Sequence, residues 1–250
     1  MSSFDFRIGE VLLINKPLTW SSFQVVNKMK FVIKGFEKRA TEKNIELKLP
    51  TSKIQPPKPK FKIGHAGTLD PLATGLLIVC TGKQTKNIEL YQAQEKEYTG
   101  TFFIGATTPC FDLEKEIDFR FPTEHITDEL IYLATKQFTG KIQQTPPLFS
   151  AIRIDGRRAY KIARAGETAE IKSKEIEINM FEITRIALPE VDFRVVCSKG
   201  TYIRSLARDF GLALNSGAHL TALCRTRIGE YELKNAMSIE TFEDSLKTII

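Results

Sequence analysis

The chain has 250 residues, 42% of them hydrophobic, enough for one large domain or two small ones with a substantial core. Its four cysteines, Cys80, Cys110, Cys197 and Cys224, lie far apart with no C-x-x-C pair, and three histidines cannot complete a zinc-ligand spacing, so reduced, buried thiols and no metal site are expected. A formal net charge of +6 hints at an anionic partner.

The opening MSSFDFRIGE lacks the basic-then-apolar pattern of a signal peptide, and no apolar run reaches the roughly 20 residues of a membrane helix. A soluble, cytoplasmic protein is expected. EVLLINKP (10–17) predicts a strand ending at a proline. SSFQVVNKMKFVI (21–33) predicts a helix capped by Ser21 or Ser22, with Phe23, Val26 and Ile33 among its apolar positions. Between Lys28 and Lys62 there are eleven Lys or Arg against three Glu, a net of 11 − 3 = +8, so the rest of the chain sums to 6 − 8 = −2. The basicity belongs to one segment, which ends in the Pro- and Lys-rich TSKIQPPKPKFK and predicts an exposed insertion at about 36–62.

After it come the loop GHAGTLDP, a strand GLLIVCTG, a helix near QTKNIELYQ and a strand EYTGTFFIG. TDELIYLATKQFTG (127–140) predicts a second helix with Gly140 as its stop. IRIDGRRAYKIARAG carries an Asp-Gly turn and then a basic helix closed by Gly166. VDFRVVCS alternates as a half-buried strand. GTYIRSLARDFGLAL places Ile203, Leu206, Ala207 and Phe210 on one helix face, with Arg204 and Arg208 pointing elsewhere. Irregular alternation of strands and helices predicts an α+β fold, a mixed β-sheet core flanked by helices.

GHAGTLDPLATG (64–75) isolates one acid, Asp70, between small-residue turns. Asp70 with Pro71 behind it suits a helix N-cap, but that helix would meet the apolar run LLIVC within about a turn. Alternatively, Pro71 pushes Asp70 into an extended conformation, and Gly64, Gly67 and Gly75 permit tight turns or close approach to a ligand. The carboxylate is then displayed on a loop ahead of a core strand.

KPLTWSS (16–22), GHAGTLDPLATGLL (64–77), GKQTK (82–86), KEYTGTFFIGATTPCFD (96–112), SKGTYIRSLARD (198–209) and GAHLTALCRTRIG (217–229) together resemble, in order, the motifs of the TruB family of tRNA pseudouridine-55 synthases. The resemblance runs from about residue 10 to about 230. It implies a pseudouridine synthase-like catalytic domain over 1–250, isomerising uridine 55 in the T stem-loop of tRNA without metal or organic cofactor, as a cytoplasmic monomer. It implies that Asp70 is the nucleophile and Arg204 the arginine that pairs with it, through a planar fork suited to a carboxylate. Tyr98 matches the tyrosine that stacks on the target base, and Tyr202 and Leu223 match positions lining its pocket. His65 matches the histidine that holds the target nucleotide out of the RNA stack. Lys16 and Lys86 match positions near the pocket and the RNA backbone, and Asp112 a loop-organising acid. Thr19 stands where the family usually has glycine, and Cys110 replaces a usual threonine. Members often continue into a C-terminal RNA-binding domain of the PUA type, for which the sequence after CRTRIGEY leaves no room.

Two other classes compete. A non-catalytic RNA-binding or RNA-folding module would not need Asp70, Tyr98 and Arg204 together. A carbohydrate enzyme using Asp70 and Asp112 is disfavoured by the basic segment and the single tryptophan. Within the family, a guide-RNA-dependent rRNA enzyme would share the acid loop, and the missing C-terminal domain favours a stand-alone tRNA enzyme.

Overall fold

The protein is described from a computed structural model covering residues 4–42 and 61–249. Its residues divide into two compact units, one of 1–94 with 225–250 and one of 95–224.

The first unit opens with strand β1 (Val11–Lys16) and helix α1 (Ser22–Glu42). Ser21 caps the helix in a reciprocal box, its Oγ accepting from the Gln24 N–H at 3.2 Å while Gln24 Oε1 accepts from the Ser21 N–H at 2.7 Å. The helix continues past the expected Ile33, so residues 36–42 of the expected insertion are helical; 43–60, with Lys53, Lys58 and Lys60, lie outside the described residues. Val26 and Ile33 are buried as expected. Phe23 is not: it is 68% exposed, because the buried stripe runs through Ser22, Val25, Met29, Val32 and Phe36, one position out of phase with it.

Strand β2 (Ile63–Ala66) pairs antiparallel with β3 (Ala73–Thr81), whose other edge pairs antiparallel with β1. The LLIVC run is apolar without alternation because both faces of β3 are covered. Leu77 and Val79 pack with Ile14, Met29 and Ile33, while Leu76, Ile78 and Cys80 pack with Ala66. The segment expected as one helix near QTKNIELYQ is a 3₁₀ stretch, Gly82–Asn87, followed by α2 (Ile88–Ala93).

The second unit begins with β4 (Lys96–Ile104), β5 (Ala106–Thr107) and β6 (Phe119–Arg120). Helix α3 (Asp128–Lys136) is capped by Thr127 and ends four residues before the expected Gly140, which instead opens β7 (Gly140–Gln144). The Asp-Gly turn joins β8 (Arg153–Ile154) to β9 (Arg157–Arg158), both turn residues at positive φ, and α4 (Ala159–Arg164) is followed by the expected Gly166. Then come β10 (Lys174–Ala187), β11 (Glu190–Cys197), α5 (Ile203–Ala213) and β12 (Ala218–Ile228), which runs into the first unit. Strands β4, β11, β10 and β7 form successive antiparallel pairs. Phe102, Phe181, Phe193 and Phe210 pack ring against ring in the core. Strand β13 (Tyr231–Glu232) and helix α6 (Ile239–Thr248) complete the first unit, where a parallel bridge between Ile14 and Met237 makes the pairing mixed. The α+β expectation holds. Cys80, Cys110 and Cys197 are free and buried as expected, whereas Cys224 is only half-buried.

Gly100, in β4 opposite Phe193, shows how closely its neighbours approach that strand. A Cβ there would press on the Ala222 carbonyl and come within 2.8 Å of the Phe193 ring. Gly100→Ala is therefore expected to cost about 1–3 kcal/mol through overpacking, read as a lower urea midpoint at unchanged slope. A midpoint equal to wild type would show that the strand yields without strain.

Candidate active site

In the first unit, Asp70 heads a four-residue turn closed by the Ala73 N–H on the Asp70 carbonyl at 3.1 Å, with Pro71 at the second position and β3 following directly. No helix starts here, so the N-cap reading falls and the displayed-loop reading stands. Asp70 is half-buried and the adjacent Leu69 is buried.

Four groups hold the turn by its backbone. The Ser22 hydroxyl, buried in the first turn of α1, accepts from the Leu69 N–H at 2.8 Å and donates to the Leu69 carbonyl at 3.1 Å. Lys16, fully buried at the end of β1, donates to the carbonyls of Trp20 at 2.5 Å, Pro17 at 2.9 Å and Pro71 at 3.3 Å. Arg225, buried in β12, donates from Nε to Leu76 at 2.8 Å and from Nη2 to Gly67 at 3.1 Å, spanning both ends of the loop. The Thr19 N–H meets the Pro71 carbonyl at 2.9 Å. Thr19 sits at φ +69°, a conformation that a β-branched residue adopts at a cost of about 1–2 kcal/mol, which accounts for glycine being usual at that position of the family motif.

Lys16 carries the electrostatic signature of this arrangement. Burial pulls its pKa down to about 8, the Asp70 carboxylate opposes that shift, and the Arg225 guanidinium adds to it. His65, on β2, is half-buried; burial and then Arg225 lower its pKa below the ordinary value, which favours the neutral ring at pH 7, while a backbone bond at Gly67 pulls the other way. Gly67 itself has φ +90°, open to glycine, and a Cβ there would sit 3.5 Å from Arg225 Nη1. Lys86 is exposed in the 3₁₀ stretch.

In the second unit, Arg204 departs from expectation by being buried, at 5% exposure. Its Nη1 donates to the Cys110 carbonyl at 3.3 Å and its Nη2 to that of Phe149 at 2.9 Å, while Nε lies 3.6 Å from the buried carboxylate of Asp112. Asp112 also accepts the Glu114 N–H at 3.0 Å, and its carbonyl takes the Thr108 hydroxyl at 2.7 Å and the Cys110 thiol at 3.4 Å. The loop-organising role expected of Asp112 is thus visible, and Cys110 fits the loop as a thiol donor. Tyr98 is buried in β4 opposite Val195. Tyr202 precedes α5, clamped through its backbone by the Gln144 amide at 2.8 and 3.1 Å, with Lys174 Nζ 5.0 Å from its ring centroid. Leu223 is half-buried in β12.

Within the first unit the structure therefore gathers Asp70, Lys16 and His65 around one loop, and it adds Arg225 and the clamping role of Ser22, which the sequence alone does not single out. Nothing in CRTRIG distinguishes the buried Arg225 from the half-buried Arg227 two residues on. Among the described residues no group of three His, Cys, Asp or Glu is placed to hold a metal ion, and no helix is long and apolar enough to cross a membrane.

Comparison with known proteins matches residues 53–203 to the family described as TruB family pseudouridylate synthase (N-terminal domain) and residues 204–249 to the tRNA pseudouridylate synthase B C-terminal domain. The chain is 61% identical to tRNA pseudouridine synthase B of Flavobacterium johnsoniae over 99% of its own length and 100% of that protein, and 54% identical to the protein of the same name from Phocaeicola vulgatus over 97% and 95%. Among solved structures it resembles a chain of a Cbf5–Nop10–Gar1 complex, with TM-score 0.64 and 26% identity, over 96% of this chain and 54% of that one. A second, an H/ACA RNP bound to a substrate RNA containing 2′-deoxyuridine, gives TM-score 0.63 at 24% identity and supports the fold alone. The chain spans about half the length of each of these solved chains. The chain belongs to the TruB family of pseudouridylate synthases, isomerases that convert uridine to pseudouridine.

Proposed function

We propose that this enzyme isomerises uridine 55 in the T stem-loop of tRNA, with Asp70 as nucleophile on a flipped-out uridine. The observation that carries this reading is the Asp70 turn: one carboxylate on a short loop whose flanking backbone is held by the buried Lys16, Ser22 and Arg225. Full-length relatives named tRNA pseudouridine synthase B support tRNA as the substrate. The reaction breaks the bond between ribose C1′ and N1 of uracil, turns the base, and rejoins it through C5, with loss of the C5 proton. It asks for a placed, ionised carboxylate and exclusion of water from the intermediate.

The remaining roles follow the family motifs. Arg204 pairs with Asp70 and orients it, Tyr98 stacks on the target base, and Tyr202 and Leu223 line its pocket. Aromatic stacking of this kind contributes roughly 1–3 kcal/mol per base. His65, favoured neutral, holds the target nucleotide out of the stack without adding charge. Lys86 meets the RNA backbone. Lys16, committed to three carbonyls, acts through the loop it holds rather than on RNA. Residues 1–250 act as one catalytic domain, monomeric and cytoplasmic, and no cofactor enters the chemistry.

Asp70→Asn keeps the shape of the side chain and removes the nucleophilic charge, so it is expected to bind a T-arm stem-loop normally and form no pseudouridine. Turnover above a small fraction of wild type, measured by pseudouridine sequencing of the RNA, contradicts the assignment. Arg204→Lys retains charge and loses the fork that serves two carbonyls and a carboxylate. It is expected to lower kcat at least about tenfold while stem-loop affinity stays near wild type, the pattern of an interaction made in the transition state. A wild-type kcat would show that Arg204 does not orient the acid.

A further inference from the structure

A solvent-open cavity of about 370 Å³ lies in the first unit, and Asp70 is not among its lining residues. Its wall comes from three places: Lys30 on α1, the run Phe61, Lys62, Ile63 and Gly64 entering β2, and Thr85 with Ile88 where the 3₁₀ stretch passes into α2. None of the residues assigned to the reaction lines it. The volume falls at the lower end of the roughly 300–1,000 Å³ usual for small-ligand sites.

The lining has a definite chemistry. Lys30 and Lys62 line it; among the described residues no carboxylate does, and neither lysine has an ion-pair partner. Lys30 is half-buried and Lys62 exposed. The Thr85 hydroxyl donates to the Gly82 carbonyl at 2.7 Å, which leaves its lone pairs as acceptors. Phe61, Ile63 and Ile88 supply apolar and aromatic surface. Two cations, one hydroxyl acceptor and a flat aromatic face match the three parts of a ribonucleotide: phosphate, ribose 2′-hydroxyl and base. Three of its lining residues, Lys30, Phe61 and Lys62, belong to the strongly basic stretch between Lys28 and Lys62.

We propose that this cavity is a second nucleotide subsite, which takes a nucleotide of the RNA substrate other than the isomerised uridine. Lys30 and Lys62 hold its phosphate, the Thr85 oxygen accepts from its ribose hydroxyl, and Phe61 meets its base or sugar. The proposal rests on RNA being the substrate, as above. It places part of the grip on RNA in a built recess apart from the reacting carboxylate, so affinity and turnover separate.

The test compares K30Q/K62Q with K34Q/K38Q, the second pair being exposed lysines on the same helix that do not line the cavity. Both are assayed for pseudouridine formation and stem-loop binding over a salt series from about 50 to 200 mM. K30Q/K62Q is expected to raise KM about tenfold, leave kcat within about twofold, and flatten the log–log salt dependence by about 0.7–0.9 for the one phosphate no longer neutralised. K34Q/K38Q is expected to change KM less than about threefold. Equal effects of the two pairs would overturn the subsite in favour of a diffuse basic surface, and an unchanged KM in K30Q/K62Q would overturn it outright. Loss of uridine 5′-monophosphate binding by calorimetry with stem-loop affinity intact would identify a free nucleotide as occupant and overturn the RNA assignment. A wild-type protein that forms no pseudouridine would contradict the function proposed above, and the binding arm of the series would still decide the cavity.

Discussion

The placement of Asp70 depends on backbone carbonyls that lack partners of their own. The turn between β2 and β3 is too short to satisfy its peptide groups internally, and a buried carbonyl left unmet costs free energy comparable to a lost hydrogen bond. Lys16, Ser22 and Arg225 meet the polar groups of Gly67, Leu69, Pro71 and Leu76 from β1, α1 and β12. Each is itself buried, so each is held by the core around it. The aspartate therefore inherits its position from the packing of the whole first unit. The chemistry proposed above, with Asp70 as nucleophile, makes that demand of its placement.

Two buried cations near one carboxylate also set the local field. Arg225 and Asp70 act on Lys16 with opposite signs, and burial outweighs both. An ammonium whose pKa lies near 8 retains three donors for three carbonyls at neutral pH. Once neutral it has two, and the longest of its bonds, to Pro71 directly behind the acid, is the weakest held. In the second unit Arg204 and Asp112 form a comparable buried pair, which fixes the 108–114 loop against the start of α5. Breaking either pair by removing one partner leaves a buried charge uncompensated, which is why substitution there is expected to be felt beyond the immediate neighbours.

Much of this was legible in the residues. The serine cap of α1, expected at Ser21 or Ser22 and found at Ser21, the Asp-Gly hairpin, the apolar run of a buried strand, and the apolar stripe of α5 are local or periodic signals, and each appears in place. Phe23 and the end of α3 differ from the sequence expectation because helix phase and the final turn depend on what packs beside them. The burial of Lys16, Arg204 and Arg225 was illegible for a different reason. A long cation is ordinarily a surface residue, and what buries Arg225 is a set of carbonyls 149 and 158 positions away in the chain. Thr19 was visible as a departure from the family motif, but its positive φ and its bond to Pro71 emerge only in three dimensions.

The central claim, that Asp70 is held in electrostatic contact with a buried, loop-clamping Lys16, is tested most directly by titrating that lysine. The Lys16 side-chain ¹³Cε shift, followed by NMR across pH in wild type and in Asp70→Asn, reads its charge without reference to turnover. The account predicts that the proton leaves Lys16 near pH 8 in wild type, and at lower pH in Asp70→Asn, where the opposing carboxylate charge is gone. A Lys16 that titrates near its ordinary value of about 10.4 in both proteins would contradict it.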